Sequence, residues 1–172
     1  MTKRCILIFP QFENVSVIDE IRKKYDPNYE NVLPHITLVF PFESDLTKQQ
    51  LLSHVENALH KTNCFCLKLG NLVKKNSKGY YLMLRVTDGS IKVKELHQKL
   101  YEGILAPYKP EWQDGFMPHM TVGQFENQSD LDAAYDNLDI NEQFSARICR
   151  VGVEIIGSNN ESIIEFELPL TD

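Results

Sequence analysis

The spacing of hydrophobic positions changes period along the chain in a regular order. Residues 5–9 form a short apolar run of strand formers. From Val15 the spacing lengthens to a helical period, with Val17, Ile18, Ile21 and Tyr25 recurring on one side and Arg22-Lys23-Lys24 late, where cations suit a helix dipole. Past a turn at Asp26-Pro27-Asn28, residues 35–40 alternate as a strand between Pro34 and Pro41. Thr47 and Gln50 have capping-box spacing and open a second helix; its apolar face is Leu51, Leu52, Val55, Ala58 and Leu59, and Asn63 should stop it. Residues 64–69 read as another strand.

The second half repeats the order. A strand over 80–86 precedes a helix opened by Ser90, with Val93, Leu96, Leu100 and Ile104 on one face. A loop over 107–118 delivers the strand 119–125, and Ser129 is placed to cap a helix carrying Leu131, Ala134, Tyr135 and Leu138. Strands near 144–156 and 162–168 close the chain around the turn Gly157-Ser158-Asn159-Asn160. No linker or low-complexity stretch divides the sequence. We therefore expect a single α+β domain, 1–172, built as a duplication with pseudo-symmetric lobes contributed by roughly 1–76 and 77–172. Each lobe hides one sheet face under helices and turns the other toward a shared cleft.

The chain has 172 residues and is 42% hydrophobic, enough for a real core. Its net charge of −6 argues against coating nucleic acid through many phosphate contacts but is compatible with a small anionic substrate held by local donors. The basic stretch Lys74-Lys75-Asn76-Ser77-Lys78-Gly79 has turn chemistry and is expected at a hairpin tip; its functional alternative is a grip on an RNA backbone. No apolar run approaches the roughly 20 residues a bilayer requires, so a cytoplasmic protein is expected. The four cysteines, Cys5, Cys64, Cys66 and Cys149, lack disulfide-scaffold density and zinc-site spacing, so reduced thiols are expected.

The candidate chemistry lies in a repeated tetrapeptide. Pro34-His35-Ile36-Thr37 and Pro118-His119-Met120-Thr121 stand at equivalent places, with the histidines 84 positions apart (119 − 35). Alternation along a strand puts His35 with Thr37 and His119 with Thr121 on one face, leaving the intervening apolar residues for the core. Two imidazoles flanking a phosphodiester are a sufficient acid/base set, because an ordinary pKa near 6.5 lets one ring accept a proton while the other donates one. The threonine hydroxyls can donate to non-bridging phosphate oxygens. A single strand histidine or threonine is usually structural; a matched recurrence of both is not required by packing. His54, His60 and His97 lack this context and read as surface or helix-end residues. No metalloprotease motif, serine-hydrolase elbow or phosphate-cradling glycine loop is present.

These twin motifs, their half-chain separation and the order of elements resemble the 2H phosphoesterase superfamily, which includes 2′-5′ RNA ligases and cyclic phosphodiesterases. The segments Ile6-Leu7-Ile8-Phe9-Pro10, Tyr25-Asp26-Pro27 and Pro34-His35 are most similar to its short bacterial branch. The resemblance implies a bilobal fold with two antiparallel-rich sheets facing a central cleft and helices outside. It also implies catalytic His35 and His119, phosphate-binding Thr37 and Thr121, and neither metal nor other cofactor. The implied substrate is a 2′,3′-cyclic phosphate or an RNA terminus, opened by a metal-independent phosphodiesterase or joined through a 2′-5′ linkage. The alternative is a non-catalytic nucleotide or RNA-end binding module on the same fold. On the strand 80–86, Tyr81, Met83 and Arg85 share a face; Arg85 is a candidate for holding phosphate and Tyr81 for stacking a base. The loop with Trp112, Gly115 and Phe116 is a candidate lid. Protein partners are not indicated.

Overall fold

A computed structural model describes residues 1–111 and 115–172; Trp112 therefore lies outside the described residues. The elements run β1 (Thr2–Ile8), α1 (Val15–Tyr25), β2 (Ile36–Ser44), α2 (Lys48–Leu59), β3 (Phe65–Lys75), β4 (Tyr80–Asp88), α3 (Ser90–Leu100), a 3₁₀ helix at Gly103–Tyr108, β5 (His119–Phe125), α4 (Gln128–Asp136), β6 (Phe144–Ile148), β7 (Arg150–Ile156) and β8 (Ser162–Pro169). They build two antiparallel four-stranded sheets, in the orders β2-β1-β7-β8 and β5-β4-β3-β6. None of the described helices is long and apolar enough to cross a membrane.

Position in the sheet explains the strand compositions. β1 lies between β2 and β7, and residues 5–8 are buried throughout, so a continuous apolar run serves it. β8 is an edge strand with Ile163 and Ile164 half exposed. The capping box is present: the Thr47 hydroxyl accepts from the Gln50 amide at 3.2 Å, and Gln50 Oε1 accepts from the Thr47 amide at 2.9 Å.

The sheets do not divide the chain at residue 76. β3 belongs to the second sheet, while β7 and β8 return to the first. The run expected as one strand over 144–156 is two, parted at Cys149 where the chain crosses between sheets. The lobes are therefore interleaved, and no glycine or proline marks either crossing. Three boundaries also move. Helix α2 ends at Leu59, before Asn63. α4 is capped by Asn127, whose side chain accepts from the Asp130 amide at 2.9 Å, rather than by Ser129. α3 ends at Leu100, and Gly103 at φ 55° turns the chain, leaving Ile104 in the 3₁₀ helix.

Cys64 and Cys149 correct the thiol expectation, because their sulfurs are joined. Phe65 faces Ile148 in the β3–β6 ladder, so the residues one step beyond are cross-strand neighbours, with Cα atoms 4.6 Å apart. The bond ties together the two places where the chain passes between sheets. Cys5 and Cys66 are free, and burial raises the Cys5 thiol pKa well above its ordinary value.

The helices reach across the lobes reciprocally. α1, which follows β1, packs on β5; α3, which follows β4, packs on β2. Each histidine strand is thus backed by a helix from the opposite half of the duplication.

Candidate active site

β2 and β5 are edge strands of their respective sheets and lie against one another. His35 immediately precedes β2 and His119 opens β5, so the two motifs meet where the sheet edges meet. The rings are close enough that the charge on His119 helps depress the pKa of His35.

The same local structure sets both rings. His35 Nδ1 bonds to the carbonyl of Leu33 at 2.8 Å, and His119 Nδ1 bonds to the carbonyl of Met117 at 2.6 Å. In each case that carbonyl belongs to the residue before the proline. Proline fixes its own φ and biases its predecessor toward extended backbone, so a residue-Pro-His segment carries its carbonyl round to the imidazole. A carbonyl only accepts, so each Nδ1 carries a proton and each neutral ring presents an unprotonated Nε2. Burial pushes both imidazoles below the ordinary 6.5; the carbonyl bonds oppose it. Arg22 and the other histidine lower His35 further while Asp26 raises it, and Lys75 lowers His119.

Register puts His119 and Thr121 on one face of β5. Thr121 faces Met83 and His119 faces Arg85 across the β4–β5 ladder, so Arg85 stands beside His119 on its own side of the sheet. Thr37 faces Leu7, which in turn faces Gly152. The Phe9 ring covers Gly152, where a Cβ would come within 3.3 Å of it, and lies 6.2 Å from the His35 ring. Both threonines are half-buried, while Ile36, Leu38, Met120 and Val122 on the opposite faces are fully buried. Tyr81 shares the face of Arg85 but sits at the far end of the strand, opposite Gln124, with its ring over Gly79. Phe116, expected in a lid, is packed: its ring stacks on His97 at 3.8 Å and meets Phe40 edge-on.

Two supporting residues were not singled out by sequence reasoning. Arg22, expected as part of a basic helix end, is 1% exposed. It donates to Asp26 Oδ2 at 2.8 Å and to the carbonyls of Val32 and Asn28, while Asp26 Oδ1 accepts from the Asn28 amide. This clip shapes the loop that delivers His35. His97, expected at the surface, is buried; its Nδ1 bonds to the Leu38 carbonyl at 2.7 Å, one residue past Thr37. Its stack on Phe116 lies one residue before Met117, whose carbonyl holds His119, so His97 touches both half-sites. Tyr101 completes the seam by accepting from the Phe40 amide at 2.9 Å. For Arg22, an early signal was its i, i+4 spacing to Asp26; for His97, its place on the apolar side of α3 beside Val93 and Leu96. His54 bonds the Leu100 carbonyl, and His60 is the exposed C-cap of α2.

Among the described residues, the His, Cys and carboxylate groups that come together as a metal site would require are Cys64, Cys149 and Asp172 at the sheet crossing, where the two sulfurs are already bonded to each other; neither motif histidine belongs to the group.

A family model described as the 2′-5′ RNA ligase superfamily matches residues 9–159. The chain belongs to that superfamily. A Bacillus cereus (strain G9842) protein named "Putative phosphoesterase" is 34% identical over 126 residues, covering 69% of this chain and 67% of its own. Among solved structures, Escherichia coli LigT complexed with 3′-AMP superposes with a TM-score of 0.69 at 13% identity, over 99% of both chains. Thermus thermophilus TT0787 gives 0.67 at 13% identity, over 98% of this chain and 97% of its own. These likenesses establish the superfamily's bilobal fold here, and membership supports phosphoesterase activity.

Proposed function

We propose that this 2H phosphoesterase opens 2′,3′-cyclic phosphates, on nucleotides or RNA ends, by metal-independent acid/base catalysis between His35 and His119. The observation that carries the proposal is the matched tautomer: with both Nδ1 atoms committed to backbone carbonyls, both exchanging nitrogens are Nε2. Water attacks phosphorus while one Nε2 removes its proton. The P–O3′ bond breaks, and the proton on the other Nε2 passes to O3′, leaving a 2′-phosphate and a free 3′-hydroxyl. The Thr37 and Thr121 hydroxyls donate to the non-bridging oxygens, where charge grows in the transition state. Arg85, directly opposite His119, supplies a fixed positive charge to the same anion.

The acid must begin as an imidazolium, which burial disfavours in the free protein; a bound phosphodiester anion opposes that effect. With a 5′-hydroxyl in place of water, the same proton exchange joins RNA ends through a 2′-5′ linkage. That E. coli LigT, on the same fold, is complexed with 3′-AMP supports a nucleotide as ligand.

The test is incubation with EDTA and a panel of 2′,3′-cyclic nucleotides and cyclic-ended oligonucleotides, following 2′-phosphate product. Wild type should turn over at least one of them, and His35→Ala and His119→Ala should bind without turnover. Binding without turnover by wild type across the panel would replace this reading with a non-catalytic binding module.

A further inference from the structure

The β3–β4 hairpin separates two adjacent lysines. Lys74 faces Leu82 on the helix-covered side, where it pairs with Asp132 and lies over the Tyr135 ring, 4.7 Å from its centroid. Lys75 faces Tyr81, and the unbroken register from Val73 to Lys75 puts both on the side that carries Met83 and Thr121. Lys75 and Tyr81 therefore form a cross-strand cation and aromatic pair on the same sheet face as His119 and Arg85.

Arg85 stands four positions beyond Tyr81 along β4, roughly 13 Å at the usual strand rise. That places the hairpin tip beyond the nucleotide whose phosphate reacts at the histidines. Lys75 stands on the same sheet face as His119, and its positive charge is felt there, lowering the His119 pKa. The Tyr81 ring lies against Gly79, whose φ of 126° and missing side chain leave room for it. A lysine and an aromatic ring paired across the hairpin, on the face that carries His119, match the phosphate and base of a neighbouring nucleotide.

We infer that Lys75 and Tyr81 form a second nucleotide subsite, so that the preferred substrate is a cyclic-ended oligonucleotide rather than a cyclic mononucleotide. This rests on the phosphodiesterase reading and extends it to substrate length. The overall acidic charge is consistent with such a grip, because one local cation on the neighbouring phosphate suffices and no long electropositive track is required.

The experiment compares kcat/KM for a 2′,3′-cyclic mononucleotide and a cyclic-ended trinucleotide of the same terminal base, in wild type, Lys75→Ala, Tyr81→Leu and, as a control on the opposite face, Lys74→Ala. Lys75→Ala should raise KM for the trinucleotide about tenfold more than for the mononucleotide. It should also flatten the dependence of log KM on log salt by about 0.7, the loss of one single-strand phosphate contact. Tyr81→Leu should show the same substrate bias without the change in salt slope, and Lys74→Ala should show neither. Equal effects of Lys75→Ala on both substrates, with an unchanged salt slope, would overturn the subsite and leave the phosphodiesterase standing. Failure of wild type to turn over either substrate would remove both.

Discussion

The loop before β2 is gripped from inside by an ionic clip, Arg22 with Asp26, whereas the segment before β5 leads in through Phe116, whose ring is stacked on His97. Yet the two rings arrive in the same state, each with Nδ1 on the carbonyl two residues back. The difference teaches that the setting of both imidazoles is written locally in the residue-Pro-His segment. What surrounds it only has to hold that segment still, and the two lobes do so by unrelated means. Chemistry can stay symmetric while packing diverges.

The sharpest way to break the comparison is to remove each ring. His35→Ala and His119→Ala should each lower kcat by about 10³-fold, within the range of general acid–base contributions, with little change in thermal unfolding. On the proposed acid/base pairing the rings act as a unit, so the double variant should be scarcely worse than either single one. A tenfold or smaller loss in one single variant, measured by single-turnover kinetics, would show that the half-sites are not equivalent partners.

The clip is next. Arg22→Ala leaves the buried Asp26 carboxylate unpaired and strips a donor from the Val32 carbonyl, so about 3 kcal/mol of stability should be lost in urea unfolding. The loss should be accompanied by a fall in kcat through misplacement of His35. Replacing Arg22 and Asp26 together by apolar residues should restore much of the stability, because the cost lies mainly in the orphaned charge. Stability equal to wild type in Arg22→Ala would show that the clip is incidental.

The duplication, the strand and helix order and the parity of both motifs were legible because they depend on local alternation: His35 and Thr37 must share a face wherever that strand goes. The pairing of strands was not legible. That β3 leaves its own half for the second sheet, and β7 and β8 return to the first, is decided by which apolar faces find each other, and no glycine or proline marks either crossing. The joining of Cys64 to Cys149 follows from that same interleaving and was hidden with it. Arg22 was hidden for a different reason, since a basic residue in the last helical turn already has an adequate explanation in the helix dipole. Its burial depends on a loop folding back over it.

His97 sharpens the comparison by touching both half-sites. His97→Phe keeps an aromatic ring against Phe116 but leaves the Leu38 carbonyl without this donor, so a loss of about 1–2 kcal/mol is expected in thermal or urea unfolding. Because Leu38 follows Thr37, kcat should fall in the same variant, while the clip around Arg22 is untouched. Full activity at reduced stability would make His97 a packing residue alone.

The smallest effect expected is a displacement of the pH profile. Both imidazoles are held below 6.5, His35 by burial and then by Arg22 and His119, and His119 by burial and then by Lys75. The base is competent above its pKa and the acid below its own, so kcat/KM, which reports the free enzyme, should peak between the two and below pH 6.5. Binding a phosphodiester anion beside both rings stabilises the imidazolium, so the falling limb of kcat should lie at higher pH than that of kcat/KM. The two pKa values belong to the coupled pair, and removing one ring's charge should raise the other's. In His119→Ala, NMR titration of His35 should therefore give a higher pKa than in wild type. An unchanged or lower value would mean that the two rings do not share an electrostatic environment, and the common site would fail with it.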